Sequence, residues 1–94
     1  MTKIDSNTQR VAPRPIYQIA EDIRKTWGGM AKVNYAAKPY LEAMFSLNTI
    51  QDNYIMDSGE DIILRFLGNA SSFRGEQAKA LKAELKALLS FQRG

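Results

Sequence analysis

The residues best suited to chemistry are cations that recur at helical spacing near the end of the chain. On a helical wheel of about 100° per residue, four of these cations lie within an arc of about 60°: Lys79, Lys82, Lys86 and Arg93. Such a basic stripe suits a phosphate backbone, and Arg74 with Lys32 or Lys38 would extend it. The alternative is a solvated lysine face on an amphipathic helix, which is the commoner origin of the pattern.

An acidic cluster lies in the middle of the chain and consists of Asp52, Asp57, Glu60 and Asp61. Carboxylates bind hard cations, but this spacing matches no calcium-binding loop. Most of these acids directly precede an apolar run, where negative charge favours a helix N-terminus. We therefore predict helix capping and no metal site. As an alternative, Asp57 and Glu60 form a rim that attracts a basic partner.

Aromatic residues divide between core and surface. Trp27 lies on an apolar stripe of helical period, which favours a place in the core. Tyr17 and Tyr35 lie off the apolar stripes. Tyrosine is a common anchor of protein interfaces, so these two are predicted to contact a partner.

The sequence gives no indication of an enzyme. It contains no histidine and no cysteine, which excludes thiolate or imidazole zinc sites and the commonest nucleophile–base pairs. No pair of carboxylates stands in a setting that would separate their pKa values. We expect a protein that is not an enzyme and needs no cofactor.

Composition sets further limits. The chain has 94 residues, of which 45 % are hydrophobic and 24 % are charged, and its net charge is +3. This composition predicts one globular domain with a small core, which self-association would complete. No apolar segment has the length of a membrane span, and the N-terminus does not resemble a signal peptide. A cytoplasmic protein without membrane contact is expected.

The element predicted to position these residues is a central helix over 58–70. Ser58 and Asp61 form a capping-box-like start, and the densest apolar run follows: Ile62, Ile63, Leu64, Phe66 and Leu67. With Leu64 included, this helix is apolar nearly all round. The other helices are expected to pack against it.

Three further helices complete an all-α bundle of about four helices over 14–94. An apolar stripe ending at Gly28 predicts a helix over 15–27. Helical spacing over 32–47 runs through Pro39, which predicts a kink there or, as the alternative, a helix that begins at the proline. Strong helix formers predict the last helix over 74–92. Residues 1–13 are polar and aperiodic, and we expect a flexible tail.

Several strings between residues 40 and 86 carry a family resemblance. They are YLEAM at 40–44, DNY at 52–54, DS at 57–58, FLGNA at 66–70, FRG at 73–75 and KAELK at 82–86. Through them, residues 16–90 resemble a family of small helical proteins of unknown function carried by bacteriophages and integrative elements. The resemblance implies a mobile-element origin and a helical fold, and it brings no functional residue with it.

Two functions fit these features. The first is a non-enzymatic mobile-element protein that binds and inhibits or modulates a host protein complex, such as a CRISPR effector or another defence complex, by analogy with anti-CRISPR proteins. The second is a small nucleic-acid-binding accessory protein that uses the basic stripe. The nucleic-acid hypothesis uses the basic stripe alone. The full set of expected partner-binding residues is Tyr17, Tyr35, Asp57, Glu60, Arg74, Lys79, Lys82, Lys86 and Arg93.

Overall fold

Residues 14–93 form four α-helices and one short β-hairpin. The computed structural model describes the backbone of residues 14–93 and the side chains of residues 14–90, so the tail predicted at 1–13 and the side chain of Arg93 lie outside the described residues. The elements are α1 (Ile16–Trp27), a 3₁₀ turn (Met30–Lys32), α2 (Lys38–Met44), β1 (Asn53–Tyr54), β2 (Asp57–Ser58), α3 (Gly59–Gly68) and α4 (Glu76–Arg93). The predicted all-α class is confirmed.

Helix α1 matches its prediction closely. Its buried residues are the apolar stripe read from the sequence: Ile16, Ile19, Ala20 and Ile23. The helix ends at Gly28, whose φ of 103° is left-handed and whose N–H donates to the carbonyls of Arg24 and Lys25. A residue without Cβ adopts this conformation without strain, and two basic residues in the last turn suit the negative end of the helix dipole.

The kinked helix predicted over 32–47 is wrong. Helix α2 begins at Lys38, has Pro39 in its first turn and ends at Met44. The missing N–H of proline costs nothing in a first turn, where the backbone donors have no helical partner, whereas inside a helix it would break a hydrogen bond. The alternative start at the proline is therefore the correct one.

The apolar spacing gave a wrong prediction for this segment because an irregular turn buries the same positions that a helix would bury. Val33 and Ala37 are both buried, although neither lies in a helix. Asn34 shapes the turn between them, since its side-chain oxygen accepts a hydrogen bond of 2.7 Å from the N–H of Ala36. This Asx-type bond offers the backbone an alternative to helix.

The hairpin was not predicted from the sequence. Its strands pair antiparallel, with Asn53 opposite Ser58 and Tyr54 opposite Asp57, so that Ile55 and Met56 form a two-residue loop. Strands of two residues are too short to display an alternating pattern. The loop also lacks the Asn-Gly or Asp-Gly pair that normally signals a tight hairpin.

Helix α3 starts as predicted and is less enclosed than predicted. The Ser58 hydroxyl accepts a hydrogen bond of 3.2 Å from the N–H of Asp61, which confirms the cap. Ile62, Ile63 and Phe66 are buried, but Leu64 is 45 % exposed. The expectation that the other helices all pack mainly against α3 is therefore wrong: α2 covers one face of α3, whereas α1 and α4 pack mainly against each other. The Leu64 side of α3 faces solvent.

Three aromatic rings join α1, α3 and the turn before α4. Trp27 stacks on Phe73, with 4.6 Å between the ring centroids and 21° between the ring planes. It also meets Phe66 edge-on, at 6.3 Å and 76°. Aromatic pairs prefer these two geometries, and each adds stabilisation beyond the burial of area.

Arg14 ties the start of the described chain to two helices. Its guanidinium donates to both carboxylate oxygens of Glu84 on α4, at 2.8 Å each, and to Asp22 on α1 at 2.7 Å. The hydrogen bonds that Arg14 donates to Glu84, and to a smaller extent the bond it donates to Asp22, raise the pKa of Arg14. Bidentate pairing is the strongest ion-pair geometry, so Arg14 fixes the seam between α1 and α4.

Substitutions at two positions of α3 test this packing. We expect Phe66→Ala to lower the free energy of unfolding by about 3–5 kcal/mol, because the ring is buried and contacts Trp27. Leu64→Ala, the matched control on the same helix, is expected to cost less than about 1 kcal/mol. Urea unfolding followed by the fluorescence of Trp27, the single tryptophan, measures both. Equal losses for the two variants would contradict the assigned orientation of α3.

Candidate binding surfaces

A groove bordered by cations runs beside the first three turns of α4. It encloses about 650 Å³ between the α3–α4 turn and the helix, and its lining consists of Phe73, Arg74, Gly75, Glu76, Lys79, Lys82, Ala83 and Lys86. We call it the lysine groove. Three of the four cations predicted as a stripe border it together with Arg74, whereas Lys32 and Lys38 do not line it.

Phe73 forms the floor of the lysine groove and is only 2 % exposed. The ammonium of Lys82 lies over this ring, 5.8 Å from its centroid. A cation over an aromatic face is attracted by the ring quadrupole, and this attraction holds the half-buried Lys82 side chain near the floor. Lys79 and Lys86 are exposed on either side.

The lysines of the groove have no carboxylate partner among the described residues: no carboxylate there forms an ion pair with Lys79, Lys82 or Lys86. Arg74 donates from Nε to the carbonyl of Ser71 at 3.4 Å and has no described carboxylate partner. Glu76 is the acid that lines one end of the groove.

The hairpin tip is a second exposed surface, which sequence reasoning missed. Ile55 is 83 % exposed and Met56 is 90 % exposed. Ile55 has a φ of +58°, the one positive φ outside glycine in residues 14–93. A β-branched residue rarely adopts this conformation. We call these two residues the hairpin prong. The signal available in the sequence was two adjacent large apolar residues inside an acidic, polar stretch.

The base of the hairpin prong is fixed by backbone contacts. The N–H of Gly59 donates to the carbonyl of Asp52 at 2.6 Å, and the N–H of Glu60 donates to the carbonyl of Ile50 at 3.1 Å. A Cβ on Gly59 would lie 2.8 Å from the carbonyl oxygen of Thr49 and 2.9 Å from the Cα of Ile50. Only glycine permits this approach of two backbones, which seats the hairpin against the preceding turn.

The acidic residues around the hairpin serve the local structure. Asp52 accepts hydrogen bonds from the N–H groups of Asn48, at 2.7 Å, and Thr49, at 3.2 Å, and these bonds hold its pKa below the ordinary value. Asp57 pairs with Arg65 at 3.4 Å. Glu60 is half-buried in the first turn of α3. In the described residues, no group of three or more acidic side chains is placed to hold a metal ion.

Two of the four tyrosines present large surfaces to solvent. Tyr35 is 87 % exposed in the turn before α2, and Tyr17 is 42 % exposed on the outer side of α1. Both positions agree with the prediction that these rings lie off the core. Trp27 is half-buried and packs against the core, as its place on the apolar stripe predicted.

No family model, curated protein or solved structure matches this chain. The resemblance to mobile-element proteins therefore stays a prediction. Across residues 14–93, no helix combines the length and the apolar character needed to cross a bilayer.

The backbone of Ile55 gives a testable consequence for stability. Asparagine tolerates positive φ better than isoleucine, so Ile55→Asn is expected to raise the free energy of unfolding by about 0.5–1 kcal/mol, or the melting temperature by roughly 2–8 °C. Met56→Asn is the matched control: it removes a neighbouring exposed side chain that has no positive φ, and it should change stability by less than about 0.5 kcal/mol. Calorimetric melting measures both. A loss of stability in Ile55→Asn would contradict the strain.

A second expectation concerns pH. The folded-state pKa of Asp52 is depressed, so its contribution to stability is complete above the unfolded value of 3.8 and is lost as the pH falls through the folded value. Asp52→Asn removes this titration and leaves the other carboxylates in place. Between pH 6 and about pH 3 the variant should therefore lose less stability than the wild type, as measured by urea midpoints. Parallel pH profiles would show that Asp52 is not coupled to folding.

Proposed function

We propose that this chain acts by binding a protein partner rather than by catalysis, and that the hairpin prong is its anchor. The observation that supports this most directly is the exposure of two adjacent large apolar side chains, Ile55 and Met56, on a tip fixed at its base. Neither side chain contributes to the core. A partner that covers these two side chains would explain why they are exposed to solvent in the unbound chain.

The hairpin prong has the properties of an interface anchor. Apolar side chains that insert into a pocket of the partner supply most of the energy in many interfaces. The flexible thioether of Met56 adapts to an irregular pocket. Because the hairpin is already formed and seated on Gly59, little conformational entropy is lost when it binds.

The charges beside the prong define the partner further. Asp61 is exposed in the first turn of α3, and Asp57, in the residue pair directly below the loop, remains partly exposed although it pairs with Arg65. A complementary partner therefore presents an apolar pocket bordered by cationic residues, and opposite charges would accelerate the encounter. Tyr17 and Tyr35 supply further contacts on this proposal, as amphipathic rings commonly do.

The kind of activity that follows is stoichiometric inhibition or modulation. A binding protein of this size without catalytic groups changes its target by occupying a surface. The resemblance to phage and mobile-element proteins makes a host complex in the cytoplasm the proposed target, a CRISPR effector or another defence complex among the candidates. One chain per target site should saturate the effect.

Site-specific crosslinking tests the anchor. A photoreactive phenylalanine analogue at Met56 should give one discrete adduct in a lysate of the organism that carries the gene, because the prong inserts into a defined pocket. The same analogue at Ala87, an exposed residue of α4, is the matched control and should not give that adduct. Unlabelled wild-type protein should compete the adduct away, and Met56→Asp should compete at least about tenfold more weakly.

The identified partner then allows the stoichiometry to be measured. Activity of the target should fall linearly with added protein and level off near one chain per site. Progressive inactivation by substoichiometric amounts would identify catalysis instead. Adducts of equal yield from Met56 and Ala87 would remove the prong from the interface while leaving a binding function open at another surface.

A further inference from the structure

We propose that the lysine groove binds the phosphodiester backbone of a nucleic acid without reading its sequence. The groove shares no residue with the hairpin prong, so this inference is independent of the proposed protein contact. It rests on the spacing of the cations, on their lack of carboxylate partners, and on the burial of the aromatic floor.

The spacing of the lysines suits a linear polyanion. Lys79, Lys82 and Lys86 occupy positions i, i+3 and i+7 of α4 and so face one side of the helix. At about 1.5 Å per residue they span roughly 10 Å of the helix axis. Four successive phosphates of one DNA strand, separated by three steps of about 3.4 Å along the duplex, cover a similar distance. Arg74 adds a fourth cation at the end of the groove.

The groove combines unpaired cations with close grouping. The guanidinium groups of Arg14, Arg24 and Arg65 each pair with a described carboxylate. The groove lysines have no such partner among residues 14–90, and Glu84 of the same helix is held by Arg14 through both of its oxygens. Other described lysines also lack a carboxylate partner, but four cations line this one groove together, against one acid, Glu76. This grouping raises the local concentration of anions.

The lining of the groove favours a nucleic acid over an acidic protein. The centre of a protein interface is apolar and depleted in lysine, whereas contacts to phosphate are made mainly by lysine and arginine. Phe73 is 2 % exposed and lies beneath Lys82, so it offers no apolar anchor. A buried ring also cannot stack on a base. What remains for recognition is charge, which a phosphate backbone supplies at regular intervals.

A salt titration of duplex binding tests the proposal with the whole chain. The probe is a fluorescent, random-sequence DNA duplex of about 20 base pairs, followed by anisotropy between about 50 and 200 mM salt. Contact with three to four phosphates predicts a slope of log Kobs against log salt of about −3. No binding at the lowest salt, or a slope near zero, would overturn the proposal.

Charge-matched variants locate the site. Lys79→Glu with Lys86→Glu should weaken duplex binding at least about tenfold, and the neutral pair Lys79→Gln with Lys86→Gln should reduce the salt slope by about 2. The control, Lys25→Glu with Lys32→Glu, changes net charge equally at two exposed lysines outside the groove and should keep most of the affinity. Trp27 fluorescence and circular dichroism check the folding of every variant.

The remaining outcomes distinguish a phosphate-backbone site from binding by net charge alone and from a site for acidic polypeptides. Equal losses from the groove pair and the control pair would show that net charge alone drives binding, which contradicts a built site. Poly-glutamate of the same charge that binds as tightly as the duplex would assign the groove to acidic polypeptides instead. Loss confined to the groove pair, with duplex preferred over poly-glutamate, supports the phosphate-backbone site.

Discussion

The packing of Trp27 between two phenylalanines is the contact on which most of this structure depends. It joins the end of α1 to the middle of α3 through Phe66 and to the turn before α4 through Phe73. Because Phe73 is also the ring beneath Lys82, the same stack fixes the floor of the lysine groove. In a small core such a junction is important, because rigid, closely packed rings transmit position well.

The helices were predictable where burial imposes a helical period, and the prediction failed where another conformation buries the same positions. The stripe of α1 ends at Gly28, whose left-handed φ stops the helix as expected. Between Val33 and Ala37 the spacing is equally helical, yet Asn34 holds a turn there. A local side-chain bond thus overrides periodicity, and a pattern of apolar residues alone does not distinguish the two cases.

The surfaces differ in predictability for a related reason. Lys79, Lys82 and Lys86 share a helical face, so their proximity followed from sequence spacing. The position of Phe73 in the floor of the groove did not follow from sequence spacing, because it depends on the tertiary arrangement of the α3–α4 turn. The hairpin prong also depends on tertiary contacts: no local preference places Ile55 at positive φ, and the hairpin forms because its base fits against the backbone beside Gly59.

The two surfaces have one physical property in common, which is that folding does not require them. The positive φ of Ile55 costs about 1–3 kcal/mol of conformational energy. Because its side chain is exposed, burial offsets little of this cost. Three lysines on one helical face repel one another, and no described carboxylate forms an ion pair with them. Where a sequence conflicts with its own local stability, function is the usual explanation. On the two proposals made above, the surfaces have different ligands, because an apolar pocket suits Met56 and a phosphate backbone suits Lys79.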